Sequence, residues 1–238
     1  MQKNILITGQ PKSGKSTLLE KVIFGIPDKV GFITKEIRAN GQRTGFEVQT
    51  HLGTKMVLAN VDFKTPHRVS KYFVSVENLD SVIPEVSSFS DEDLLYLDEI
   101  AQMELFSEKF KELALQYLNS KNTLLATVPQ VYEDDFVKEI KNRKDVILIE
   151  LSEENREAKE KFVGLLIKKI EKARGYMSEP GRFTRKDSGV EVRSEHGTRN
   201  LVLQNGEWEC DCDFFRENRI CSHSIATTEL GEYLPMAA

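Results

Sequence analysis

Apolar residues come in short runs whose spacing changes along the chain. Residues 4–8 form an unbroken buried-strand pattern, and across 16–24 the apolar residues Leu18, Leu19, Val22 and Ile23 recur at helical spacing. Residues 30–37 and the alternating 45–50 predict two strands. Asn40-Gly41 between them is a turn signal, so the pair is expected to form a hairpin. Residues 94–97 predict a short apolar strand that runs into Asp98-Glu99, and Ser107 is placed to cap an amphipathic helix extending to 118. A strand over 123–127, a helix over 133–140 and a strand over 146–151 complete an alternation of strand and helix. Such an alternation predicts an α/β domain with a mostly parallel sheet.

A charged helix with apolar residues at Phe162, Leu165, Leu166 and Ile170 is expected from about Ser152 to Ala173, one face packed on the sheet. The composition then turns to Gly, Pro, Ser and Arg, which marks 174–188 as a linker. The expected organisation is thus a domain over 1–173, the linker, and a small module over 189–238. In that module two strand-like runs, 190–193 and 201–203, precede the cysteines, and a helix starts near Ser222.

At 39% hydrophobic and 30% charged residues, the 238-residue chain can build a real core. Its net charge of −5 argues against a coat of cations for nonspecific nucleic-acid binding. No stretch approaches the ~20 apolar residues of a membrane span, and the apolar run near the start is too short for a signal peptide. The expectation is a cytoplasmic protein, in which clustered cysteines point to metal rather than disulfides.

Gly9, Gln10, Pro11, Lys12, Ser13, Gly14, Lys15, Ser16 and Thr17 fit the pattern G-x-x-x-x-G-K-[ST] between a predicted strand and a predicted helix, the context this phosphate loop requires. Glycine lets the loop curl so that successive backbone N–H groups point at a phosphate. Lys15 then reaches the β- and γ-phosphates, Ser16 supplies a hydroxyl to Mg²⁺, and the helix N-terminus adds partial positive charge. Asp98 is the expected Mg²⁺ partner through its waters. Glu99 is placed to deprotonate the attacking water.

From Gly9 to about Arg156 the sequence resembles the small RecA-like nucleoside triphosphatases of thermophiles and the human cancer-related nucleoside triphosphatase. GQPKSGKST, GFITKEIRANGQRTGFEV (31–48), HRVSKY (67–72), LDEIAQMELFS (97–107), the stretch 142–145 and ENR (154–156) carry the likeness. The resemblance implies a P-loop RecA-like fold and slow hydrolysis of ATP, GTP and other nucleoside triphosphates. Two departures stand out. The family reads Asp-Glu-Ile-Gly-Lys-Met-Glu-Leu where Ala101-Gln102 here replaces Gly-Lys, and Ser70 stands where glycine is usual. The first removes a cation near the site, for which Arg38 and Arg43 are candidate substitutes.

Cys210, Cys212, Cys221 and His223 offer three thiolates and one imidazole within fourteen positions, a set that matches a closed structural Zn²⁺ site. His51, His67 and His196 have no such company. The tail resembles a SWIM zinc finger, a small ββα module with the pattern C-x-C-x(n)-C-x-H, which implies binding to DNA or protein. Residues 174–238 hold eight Lys or Arg against eleven Asp or Glu, a formal −3. That balance favours a protein partner, with Arg182, Arg185 and Lys186 as the DNA-facing alternative. The expected function is a Mg²⁺-dependent nucleoside triphosphatase with a zinc module. The alternatives are a nucleotide-dependent adaptor with little hydrolysis and a nucleotide or nucleoside kinase.

Overall fold

The computed structural model describes residues 1–132 and 134–230, and in it the chain forms two units, Lys3–Glu160 and Met1–Gln2 together with Lys161–Ala238. The first unit begins with β1 (Asn4–Gly9), α1 (Lys15–Phe24) and the expected hairpin of β2 (Lys29–Ala39) and β3 (Gln42–Thr50), which turns at Asn40-Gly41. Then follow β4 (Lys55–Asn60), β5 (His67–Val69), β6 (Tyr72–Val74), α2 (Val76–Val86), β7 (Leu94–Asp98), α3 (Glu108–Asn119), β8 (Leu124–Thr127), α4 (Asp135–Lys141) and β9 (Val146–Leu151). The nine strands share one sheet in the order β5-β6-β4-β3-β2-β7-β8-β1-β9.

This sheet corrects the expectation of a mostly parallel one. β2, β7, β8, β1 and β9 run parallel, but β3, β4, β6 and β5 continue antiparallel beyond β2, so the sheet is mixed. Strands of three to six residues over 55–74 supply most of the antiparallel half, and runs so short carry little periodicity. Every residue of β1, β7 and β8 is buried, as expected of parallel strands covered on both faces. Ser75 starts α2 by accepting the Asn78 N–H at 3.3 Å, and Ser107 caps α3 by accepting the Phe110 N–H at 3.0 Å. Asp134 caps α4, whose expected first residue, Glu133, lies outside the described residues. Ser70 adopts φ +56°, in the left-handed region that favours glycine.

α5 (Arg156–Met177) starts in the first unit and ends in the second. Ahead of it the Asn155 N–H donates to Ser152 Oγ at 3.3 Å and the Ser152 N–H to Asn155 Oδ1 at 3.0 Å, a reciprocal capping arrangement. The stretch 174–188, expected as a linker, holds the end of α5, a helical turn at Pro180–Arg182 and β10 (Phe183–Lys186). β10 joins β11 (Gly189–Ser194), β12 (Gly197–Gln204) and β13 (Glu207–Cys210) in an antiparallel sheet, followed by α6 (Asp213–Asn218) and α7 (Ser222–Leu230). Four strands and two helices thus stand where two strands and one helix were expected. The final eight residues of the predicted module, 231–238, lie outside the described residues.

Candidate functional site

The loop between β1 and α1 folds as its glycines dictate. Gly14 takes φ +97° at the start of α1, where an L-residue is strained. Gly9 is extended, and a Cβ there would lie 2.3 Å from the carbonyl oxygen of Leu151, so only glycine fits beside the end of β9. Within the loop the Ser13 N–H donates to the Gln10 carbonyl at 3.1 Å. Lys15 Nζ donates back to the Gly9 carbonyl at 3.2 Å.

Parallel register brings the carboxylates to this loop. Leu97 of β7 is level with Ala126 of β8, so Thr127 falls beside Asp98. Asp98, 1% exposed, accepts hydrogen bonds from the Thr127 hydroxyl and from Ser16 Oγ, the latter at 3.0 Å. Burial pushes its carboxyl up to about 6, against the pull of those two hydroxyls. Glu99 follows, with Oε1 3.9 Å from Lys15 Nζ. Its carboxyl is also raised by burial, while Lys15 and Lys141 pull it down. Lys15, Ser16, Asp98 and Glu99, predicted from two separate motifs, therefore meet at one point.

A cleft of about 830 Å³ opens over this point. The loop residues Gly9, Gln10, Pro11, Lys12, Gly14 and Thr17 line it, together with Thr34, Glu36, Arg43 and Phe46 from β2 and β3. Ser13 is buried beneath the loop and is not on the cleft wall. Ala101 and Gln102 also line the cleft, so the position where the family carries lysine faces the site. Of the two candidate substitutes, Arg43 borders the cleft, held by Tyr72 Oη at 2.9 Å and Glu36 at 2.6 Å. Arg38 is not on the wall and is engaged by Glu36 and the Gly41 carbonyl.

Sequence reasoning missed Thr127 and Glu104. Glu104 lines the cleft, is 3% exposed, and accepts from Thr34 Oγ1 at 3.1 Å; burial pushes its carboxyl up to about 8. An unfolded glutamate ionises near its usual ~4.3, so the folded protein holds a proton that the unfolded chain has released. Glu104 therefore costs stability progressively as pH rises from about 4.5 towards 8, at up to about 1.4 kcal/mol per pH unit. We predict that Glu104→Gln flattens the fall in unfolding temperature between pH 5 and 8 of the nucleotide-free protein, leaving the smaller slope of Asp98 and Glu99. Equal slopes in the two proteins would contradict this.

Cys210, Cys212, Cys221 and His223 form a second cluster, in the other unit. Cys210 ends β13, Cys212 precedes α6, Cys221 precedes α7, and His223 lies in its first turn. All four are buried, and their ligand-type atoms lie within 4.8 Å of one another. His223 Nδ1 is 3.6 Å from Cys210 Sγ and 3.7 Å from Cys221 Sγ, and the Ser224 N–H donates to Cys221 Sγ at 3.3 Å. Hydrogen bonds from Cys210 and Cys221 hold the Cys212 thiol far below the usual range, and those with Cys212 and Cys221 push Cys210 far above it. Tyr176 stacks on the imidazole at 5.5 Å. Among the described residues no helix is long and apolar enough to cross a membrane.

A sequence profile of the family described as NTPase matches residues 4–163. The nucleoside-triphosphatase THEP1 of Thermotoga maritima is 40% identical over 154 residues, covering 64% of this chain and 88% of that protein. The human cancer-related nucleoside-triphosphatase is 34% identical over 175 residues, covering 66% of this chain and 92% of the relative. The crystal structure of THEP1 from the hyperthermophile Aquifex aeolicus superposes with a TM-score of 0.63 at 32% identity, over 69% of this chain and 98% of the other.

Proposed function

The chain belongs to the NTPase family, and from that footing we propose that it hydrolyses nucleoside triphosphates to the diphosphate and phosphate, with Mg²⁺, in the cleft at the start of α1. The observation that carries this reading is the meeting of Lys15, Ser16, Asp98 and Glu99, with Ser16 3.0 Å from Asp98 and Lys15 3.9 Å from Glu99. The N–H groups of the loop and the positive end of α1 take the phosphates, and Lys15 adds its charge to the β- and γ-oxygens. Ser16 and Asp98, the latter through water, would hold the Mg²⁺. Their fit to a cation follows from the donor set: the Ser16 hydroxyl and the buried Asp98 carboxyl lie 3.0 Å apart, both hard oxygen ligands, with Glu99 next in the chain. When bound, the cation offsets charge on the transferring phosphoryl group. Glu99 orients the attacking water and takes its proton.

The test is phosphate release from ATP, GTP, CTP and UTP, each with Mg²⁺ and with a chelator. Release from all four in Mg²⁺ and from none under chelation is expected. Release that persists without a divalent ion would overturn the metal assignment.

The second unit, on this reading, holds one structural Zn²⁺ through Cys210, Cys212, Cys221 and His223. A tetrahedral zinc with bonds of about 2.3 Å to sulfur and 2.05 Å to nitrogen sets nitrogen and sulfur about 3.6 Å apart. The distances of 3.6 and 3.7 Å from His223 Nδ1 match that spacing. Four protein ligands leave no position for water, so the ion is structural. A protein partner is favoured over DNA because two of the three cations of the basic patch are already engaged: Arg182 pairs with Glu179 at 2.9 Å and Lys186 with Glu191 at 3.1 Å. Three free thiols in one cluster suit a reducing, cytoplasmic setting.

A further inference from the structure

Behind the phosphate loop lies a cation, Arg156, that does not border the cleft. Arg156 is the first residue of α5, a position where the helix dipole disfavours positive charge, so the helix itself does not explain it. Its Nε donates to the Ser13 carbonyl at 2.9 Å. Its guanidinium lies against Gly14: a Cβ at Gly14 would be 2.7 Å from Nε and 3.0 Å from Cζ. No carboxylate forms an ion pair with Arg156 among the described residues. The charge of this half-buried side chain is thus left facing a loop whose own task is to receive an anion.

We propose that Arg156 is a positioning residue that braces the phosphate loop and so sets nucleotide affinity. Two contacts fix the loop from the β9–α5 junction: the Leu151 carbonyl pressed on Gly9 and the Arg156 guanidinium pressed on Gly14. By tying the Ser13 carbonyl, Arg156 turns the peptide that follows so that the Gly14 N–H faces the opposite way, towards the cleft side of the loop. Its unneutralised charge adds to the attraction of the loop for the phosphates. Among the described residues Arg156 makes no hydrogen bond or ion pair with Glu99 or Lys15, so the chemical step does not depend on it directly.

The inference rests on the reading that this loop takes the phosphates, and the test separates the two. Binding of a fluorescent ADP and steady-state hydrolysis of ATP are measured on the full chain and on Arg156→Met, Arg156→Gln and Arg156→Lys. Loss of a charge-assisted hydrogen bond is typically worth about 10- to 100-fold. Arg156→Met and Arg156→Gln are expected to raise the Kd for ADP and the KM for ATP by that factor, with kcat within about threefold of wild type. Arg156→Lys, which keeps charge and donor, should restore most of the affinity. Wild-type binding of ADP with unchanged Kd in Arg156→Gln overturns the brace alone, as does a fall in kcat at constant KM. No binding of ADP by the wild type overturns both readings.

Discussion

Stripping zinc, or replacing Cys212 by serine, is expected to unfold the unit built on β10–β13 while the cleft goes on hydrolysing nucleotide. Beyond α5 the unit has few large apolar side chains to bury, chiefly Phe183, Val190, Val192, Leu201, Phe215 and Ile225. A core of that size gives little stability alone, and small folds commonly rely on a metal. Structural zinc supplies roughly 10 kcal/mol or more in isolated fingers, well above the margin such a unit has without it. The four ligands also tie β13, α6 and α7 together, so their release loosens three elements at once. Hydrolysis should persist because every residue bordering the cleft falls between Gly9 and Tyr132. Metal analysis should give one zinc per chain. Limited proteolysis after zinc is stripped should cut beyond Arg174, with phosphate release retained once Mg²⁺ is restored and binding of a protein partner lost. A chain purified without chelators that carries no stoichiometric zinc would contradict the assignment.

What the sequence made legible was chemistry carried by neighbouring residues. Gly9 to Thr17 and Asp98-Glu99 each announce themselves locally, one by spacing and the other by ending an apolar strand, and the structure brings them together at the ends of β1 and β7, on either side of β8. The cysteine cluster is also nearly contiguous. Partners supplied by distant segments left no such mark. Thr127 reaches Asp98 only through the register of β7 and β8, Glu104 meets Thr34 across 70 residues, and Arg156 meets Ser13 across 143. α2 carries a readable signal, since Leu79, Val82, Ile83 and Val86 are buried at helical spacing behind the cap Ser75, but the short strands before it carry little. β10 was hidden by composition: Pro180 and Gly181 precede it, and Phe183 is the one large apolar residue among its four.

The largest effects on activity belong to Lys15 and Glu99, and they differ in kind. Lys15 places its ammonium between the Gly9 carbonyl and the Glu99 carboxylate, where the phosphates enter, so Lys15→Ala should abolish nucleotide binding and hydrolysis together. On the proposed reading Glu99 acts on the attacking water rather than on the bound phosphates. A general base of this kind is typically worth ~10²- to 10⁴-fold in rate, so Glu99→Gln should retain nucleotide affinity and lose turnover by that factor. The isosteric amide keeps the shape of the site and removes a negative charge beside Lys15, so affinity should hold or rise. The decisive measurement is therefore single-turnover phosphate release by Glu99→Gln, made with Mg²⁺ and ATP at a concentration where bound nucleotide is quantified in the same sample. The account predicts a fully loaded protein whose release is slowed at least ~100-fold. A loaded Glu99→Gln protein that releases phosphate at the wild-type rate would show that the water is activated elsewhere.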